Sequence, residues 1–332
     1  MKLDASLPPL PLQDVPAAAR AAEAAGFDAL WTSETRHDPF LPCTLIAENS
    51  RRLKMGTAIA VSFARSPANM AYTAWDLAAQ SEGRFLLGLG TQVRAHIERR
   101  FGMPWPASVT GKLREQILAM RALWEAWQNG SKLNFRGEYY RLTLMSPFFD
   151  PGPISHPRIP VYIAGVNEGL ARLAGEMCDG FHVHPFHSLR YLKEVILPSI
   201  EKGLERQGRQ RSDLSLSVTA FVAAGAEEKE LVRSQVAFYA STPSYRGGMA
   251  LHGWAGTAER LSGHASRGEW TQMTGLITDE MLAEFCLLAP EDELAEALQR
   301  RYEGLADRLT VYTPFVPGQR DAFWNRLAAA FR

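Results

Sequence analysis

FDALWTSETRHDPFLP, Phe27–Pro42, is the stretch whose reading decides the fold. It starts as a short apolar run, Ala29-Leu30-Trp31, and breaks at once into Thr32, Ser33, Glu34, Thr35, Arg36, His37 and Asp38. An apolar strand ending in hydrogen-bonding and titratable groups is how α/β proteins build sites, because ligands bind beyond the carboxyl ends of their strands. The same pattern also suits a solvated loop between a strand and a helix.

Working outward, strand-like and helix-like segments alternate along the whole chain. Lys2–Leu7 predicts a first strand. Asp14 as a cap, Pro16 in the first turn and Gly26 just past the end predict a helix behind it. Ala29–Ser33 is strand two, followed by a helix from about Leu41 to Arg51. Leu53–Val61 is strand three, and Ser66-Pro67 opens a helix to about Glu82. Arg84–Leu89 is strand four; the helix after it, Gly111–Gln128, carries Leu113, Ile117, Met120, Leu123 and Trp124 at helical spacing. Leu133–Leu142 reads as a small hairpin around Arg136-Gly137. Ile159–Ala164 and Gly180–His184 are strands five and six, with a helix from Asn167 to Cys178 between them and another running to about Gln207. Leu214–Val222, helix Ala226–Ser241, Arg308–Tyr312 and helix Arg320–Phe331 complete the series.

Eight short strands each followed by a helix predict a (β/α)8 TIM barrel with insertions. A doubly wound open sheet is the competing arrangement, and the count of short apolar strands favours the barrel. The chain is expected to be a single domain over residues 1–332, with insertions around 91–110, 133–160 and 242–290. Loops this long are usually lids or extra helices. The third, holding Trp254, Trp270, His252 and His264, reads equally as a substrate lid or as a helical excursion that packs on a neighbouring subunit.

Composition narrows the function. Lys plus Arg number 36, as do Asp plus Glu, so the formal net charge is zero. Nucleic-acid and anionic-membrane partners, which need a basic patch, are not expected. No window reaches the length of a membrane span, and the N-terminus lacks a long apolar run, so a cytoplasmic protein is expected. Cys43, Cys178 and Cys286 are odd in number, far apart and without CxxC spacing; they read as small buried residues.

Motifs for chemistry are few. There is no phosphate loop, GxSxG elbow or HExxH pair. Gly88-Leu89-Gly90 begins like a dinucleotide fingerprint, but Val93 stands where the third glycine belongs. His182 and His184 alternate on one strand and so face one side, with His187 as a third imidazole nearby. No carboxylate flanks them, so they read as polar lining of a ligand cavity, with no metal. Gly165-Val166-Asn167 ends strand five and opens a helix, where small residues let backbone N–H groups approach an anion; a tight turn capped by Asn167 is the plainer alternative.

Assembled, these pieces resemble the luciferase-like flavin monooxygenase superfamily, and more closely its branch that uses the deazaflavin coenzyme F-420. The resemblance rests on AGFDALWTSE (Ala25–Glu34), LKMGTAIAVSFARSP (Leu53–Pro67), GRFLLGLGTQ (Gly83–Gln92), ERRFGMPW (Glu98–Trp105), PVYIAGVNEGLARLAGEMCDGF (Pro160–Phe181) and LAPEDELAEAL (Leu288–Leu298), which cover nearly the whole chain. It implies a barrel, often dimeric, with the flavin or deazaflavin at its C-terminal mouth. Carried over by position, Glu34 and Thr35 stand at the end of strand two beside the ring, where several relatives have an Asp-His pair. Glu34, His37 and Asp38 are the candidates for proton transfer. The resemblance places a non-proline cis peptide at Ala58-Ile59, backing the ring, with Thr91 and His96 at the pyrimidine edge or side chain. It gives Gly165, Val166 and Asn167 the coenzyme phosphate, in line with the helix-terminus reading. Trp105 and His184, with parts of the third insertion, would wall the substrate pocket.

The expected activity is hydride transfer between F-420 and a small organic substrate. An FMN-dependent monooxygenase fed by a separate flavin reductase is the alternative enzyme, and a barrel that binds flavin without turnover the alternative from another class. A homodimer is expected, with a reductase supplying the reduced cofactor as a possible partner.

Overall fold

The computed structural model describes all 332 residues, which fold as two compact units. One comprises Leu7–Ala24 and Asp28–Ala164; the other comprises Met1–Ser6, Ala25–Phe27 and Gly165–Arg332. The long strands are β1 (Lys2–Ser6), β2 (Ala29–Thr32), β3 (Lys54–Thr57), β4 (Phe85–Gly90), β5 (Val161–Gly165), β6 (Gly180–Val183), β7 (Ser215–Ala223) and β8 (Arg308–Val311). Between them lie α1 (Val15–Ala25), α2 (Phe40–Glu48), α3 (Pro67–Gln80), α4 (Val109–Asn129), α5 (Glu168–Met177), α6 (Leu197–Arg206) and α7 (Ala226–Ala240); α8 (Asp321–Ala330) follows β8.

In the unit that holds Asp28–Ala164 the strands run β2-β3-β4-β5, and in the other β6-β7-β8-β1, paired in parallel. The order is sequential in each, and the last strand pairs with the first: Lys2, Leu3 and Asp4 lie opposite Arg308, Leu309 and Thr310. A doubly wound sheet reverses its strand order at a switch point, and this chain does not. The fold is the (β/α)8 barrel that the sequence predicts.

Strand and helix are set locally by the residues expected to set them. The Ser66 hydroxyl accepts the Asn69 amide and caps α3, with Pro67 at its first position. Asn167 caps α5 through the Leu170 amide. Gly26 ends α1 with φ 96°, a left-handed conformation that glycine adopts without penalty. The strands are buried on both faces, β2 and β4 completely, as parallel barrel strands must be. Inside the first unit, Trp31 of β2 lies against Tyr162 of β5, ring centroids 5.9 Å apart, with Ala29 and Leu86 packed beside them. This layer requires Gly56: a Cβ there would meet Trp31 Cζ3 at 2.6 Å and the Leu86 carbonyl closer still.

One expectation needs correction. Strand three does not run unbroken from Leu53 to Val61. It ends at Thr57 and resumes as Ala60–Val61, which pairs with Leu89 and Gly90 of β4. The Ala58–Ile59 peptide between the two pieces is cis, as the resemblance implies. The Ala58 amide donates to the Thr32 carbonyl and the Glu34 amide to that of Ile59, so the end of β2 holds the interruption. The third insertion is built of extra helices, one of the two forms expected of it. It forms helices at Arg246–Leu251, Ala255–Ser266, Trp270–Thr274 and Asp279–Phe285 and then a short strand, Cys286–Leu288, parallel to β7. Its apolar residues Met249, Leu261, Met273, Leu282 and Phe285 are buried with Phe221 and Val236, which ties it to its own unit. The first insertion contributes the short helix Arg94–Arg99 and the second the hairpin Phe135–Arg136 with Arg141–Leu142.

Candidate functional site

The polar end of β2 is ordered by one arginine. Arg65 donates to Glu34 Oε2 at 2.6 Å and to Asp38 Oδ2 at 2.9 Å, and its guanidinium lies 5.4 Å from the centre of the Phe40 ring. Glu34 Oε2 also accepts the Val61 amide at 2.6 Å, and only 6% of the Glu34 side chain is exposed. A buried carboxylate holds its charge only when it is paired and hydrogen-bonded, and both conditions are met here. The two carboxylates raise the Arg65 guanidinium above its usual range against the opposing effect of burial, which is the largest influence on it. Asp38 has a second duty: its Oδ1 accepts the Phe40 amide at 2.8 Å at the start of α2.

Glu34 and Asp38 are therefore both committed to this ion-pair network. His37 is exposed and carries no hydrogen bond to the rest of the chain; Thr35 is exposed too, and its carbonyl accepts from Arg100 at 2.8 Å. His37 and Asp38 line a shallow pocket with Leu7, Pro9, Thr32 and Pro42.

Behind Glu34 lies the interrupted third strand. Ala58 and Ile59 are half-buried, while Thr57, Ala60 and Val61 are fully buried. Ala58 and Ile59 thus leave part of their apolar surface uncovered. Ile59 lies across Gly90, where a Cβ would meet Ile59 Cδ1 at 2.5 Å. Thr91, next in the chain, is buried, and its hydroxyl donates to the Gln92 carbonyl. His96 is exposed on the short helix. Trp105 is half-buried, its ring edge-on to Phe63 with centroids 5.9 Å apart.

The other unit holds two further groups of predicted residues. Gly165 and Val166 are half-buried and Asn167 exposed at the start of the ten-residue α5, whose first-turn amides have no partner within the helix. The Val166 carbonyl is held at 2.8 Å by the Tyr191 hydroxyl.

His184 follows β6. Its Nδ1 accepts the Phe186 amide at 3.1 Å, so the proton sits on Nε2, which donates to the Tyr245 oxygen at 3.3 Å. Burial, with the neighbouring His187 a lesser cause, pushes His184 down to about 3, which keeps the ring neutral. Tyr239 lies edge-on to it at 4.6 Å, and the Tyr239 hydroxyl meets that of Tyr312 at 3.1 Å. His187 takes the opposite tautomer: Nδ1 donates to the His184 carbonyl at 2.8 Å and Nε2 accepts from the Tyr302 hydroxyl at 3.1 Å. His182 is buried on β6 and pushed down to about 3, burial coming first and Arg308 second.

Against known proteins, the family model described as luciferase-like monooxygenase matches residues 3–308. The chain belongs to the luciferase-like monooxygenase family. An uncharacterized protein of Mycobacterium tuberculosis (strain ATCC 25618 / H37Rv) is 47% identical to this luciferase-like chain over 93% of it and 92% of the relative. An F420-dependent glucose-6-phosphate dehydrogenase of Intrasporangium calvum is 29% identical over 88% of this chain and 86% of its own. Among solved structures, the coenzyme F420 dependent tetrahydromethanopterin reductase from Methanopyrus kandleri superposes with a TM-score of 0.80 at 18% identity, covering 98% of this chain and 97% of that one. The oxygenating constituent of 3,6-diketocamphane monooxygenase from Pseudomonas putida, in complex with FMN, gives 0.67 at 17%, covering 96% and 92%. The protein is an oxidoreductase of the luciferase-like type, and a deazaflavin or a flavin is its class of cofactor. No helix is long and apolar enough to cross a membrane.

Reasoning from sequence missed Arg65, Tyr239, Tyr245 and Tyr312. Arg65 had a signal: a lone cation four residues beyond the apolar strand that ends at Val61. The tyrosines had none, since they come from α7, the third insertion and the end of β8.

Proposed function

We propose that this protein is an F-420-dependent oxidoreductase acting on a small organic substrate. The observation that carries the choice of deazaflavin is the 29% identity, across 88% of the chain, to a dehydrogenase that uses it. The chain's own residues fit such a ring. A deazaflavin needs a flat apolar wall with a few polar groups at its edge. The outward face of Ala58 and Ile59, flattened by the absence of a side chain at Gly90, has that character. When bound, the coenzyme supplies the hydride chemistry.

In this reading Glu34 is a positioning residue. Its carboxylate fixes the Val61 amide and Arg65, and so the segment that carries Ile59. Asp38 anchors the same arginine. His37, the one candidate whose ring nitrogens have no partner in the chain, holds or moves the proton. Thr91 and His96 are the proposed contacts at the pyrimidine edge or side chain of the coenzyme, and Trp105 a wall of the substrate pocket. Within the other unit, the amides of Gly165, Val166 and Asn167 at the start of α5 are suited to a phosphate, since the helix dipole favours an anion there.

Fluorescence titration of the purified protein with F-420 and with FMN tests the proposal. Micromolar binding of F-420 is expected. Binding of FMN alone would support the two-component monooxygenase instead, and binding of neither would overturn the site assignment. Loss of turnover in His37→Gln with coenzyme binding intact is expected; unchanged turnover would remove His37 from proton transfer.

A further inference from the structure

The residues around His184 form a second polar group with a different character. Three tyrosines, 239, 245 and 312, and one imidazole meet where β6, β7 and β8 end, each of them half-buried. Their walls are aromatic: Phe186 stacks on Phe285 at 4.4 Å, and Phe221 lies 4.5 Å from Tyr312. Every hydrogen-bonding group turned into the cluster is neutral. Tyr312 donates to the Gln235 side-chain amide at 3.2 Å. Two arginines on the neighbouring elements are neutralised, Arg233 by Asp279 and Glu230 and Arg320 by Glu228 and Glu291; Arg246, next to Tyr245, is exposed and meets only the Ser262 hydroxyl at 3.4 Å.

Tyr245 is the distinctive member. Because the Phe186 amide fixes the His184 tautomer, the imidazole donates into the Tyr245 oxygen. The phenolic O–H is then left as a donor with no acceptor in the chain. A half-buried donor without a partner is satisfied by a ligand oxygen or by water.

We propose that Tyr245, aligned by His184, anchors the oxygen of an uncharged substrate, an alcohol or carbonyl compound with an apolar body, and that this unit selects against carboxylates and phosphate esters. The inference rests on the oxidoreductase reading above and names its substrate class. An anion placed here would face phenols and a neutral imidazole, and the one unpaired cation nearby, Arg246, lies exposed to solvent and turned to Ser262, whereas a neutral oxygen needs only the one donor. The aromatic walls suit its hydrocarbon part.

The test uses probes that share one ring: cyclohexanol, cyclohexanone, cyclohexanecarboxylate and cyclohexyl phosphate. Their binding to the full-length protein without coenzyme is measured by ligand-observed NMR, with an F-420 titration run on the same sample. The neutral pair should bind at least tenfold more tightly than the charged pair, and Tyr245→Phe should lose about tenfold for the neutral pair while leaving the F-420 titration unchanged. Charged probes binding as tightly as neutral ones, no probe binding at all, or a Tyr245→Phe protein that binds all four like the parent would overturn the inference. If F-420 fails to bind while the probe preference holds, the coenzyme reading falls and the substrate subsite stands.

Discussion

The polar group after β2 and the one after β6 solve the same problem in opposite ways. Both place hydrogen-bonding side chains beyond a fully buried strand. The first does it with charge: Glu34, Arg65 and Asp38 neutralise one another, and the network is rigid because each carboxylate also holds a backbone amide. The second does it with an imidazole and three phenols: burial lowers His184 to about 3, raises Tyr239, and raises Tyr245 to about 12. A charged network is suited to holding a backbone in place. A neutral one can be emptied and filled by a ligand without leaving a buried ion behind. The comparison therefore assigns scaffolding to the first group and substrate recognition to the second.

The largest effect that would break this comparison is on stability against pH. The buried imidazoles His182, His184 and His187 titrate at about 3, 3 and 4, below the ordinary value of 6.5. The unfolded chain then binds protons between pH 6.5 and those values while the folded protein does not, so stability falls as pH drops through that window. Each imidazole contributes at most about 1.4 kcal/mol per pH unit. Urea unfolding at pH 7.5, 6 and 5 should show a fall of several kcal/mol. A flat profile from 7.5 to 5 would mean that the second group accepts charge.

Next in size is Arg65→Met, which leaves the buried Glu34 carboxylate without its cation. A loss of about 3 kcal/mol is expected in the same unfolding assay. A loss below 1 kcal/mol would show that the network is not a scaffold. Gly90→Ala probes the wall directly, since its Cβ would press on Cδ1 and Cγ1 of Ile59, both at 2.5 Å. F-420 affinity should fall about tenfold, roughly 1.4 kcal/mol, with little change in melting temperature. Unchanged affinity would take Ile59 away from the ring. Smallest is Tyr245→Phe: removing one long hydrogen bond from a half-buried ring should cost less than about 1 kcal/mol of stability, and a larger loss would make Tyr245 structural.

The same contrast explains what was legible in the sequence. Strand order, caps and the polar end of β2 depend on neighbours in the chain, and periodicity, Ser66, Asn167 and Gly26 carried them. The break at Ala58–Ile59 came from the resemblance; periodicity alone continued the strand through it to Val61. The Glu34–Arg65 and Glu34–Val61 contacts join residues about thirty positions apart, and the acidic side showed itself while the basic side fell in the connection between strand three and its helix. The phenol cluster was illegible. His184 stood out as a titratable residue on a strand, but Tyr239, Tyr245 and Tyr312 come from separate elements, and a tyrosine in an apolar helix reads as core.

The central claim is that the cofactor is the deazaflavin. Equilibrium dialysis of the protein against equal concentrations of F-420 and FMN decides it directly. F-420 should be retained with FMN left in the bath; retention of FMN with F-420 excluded would contradict the account.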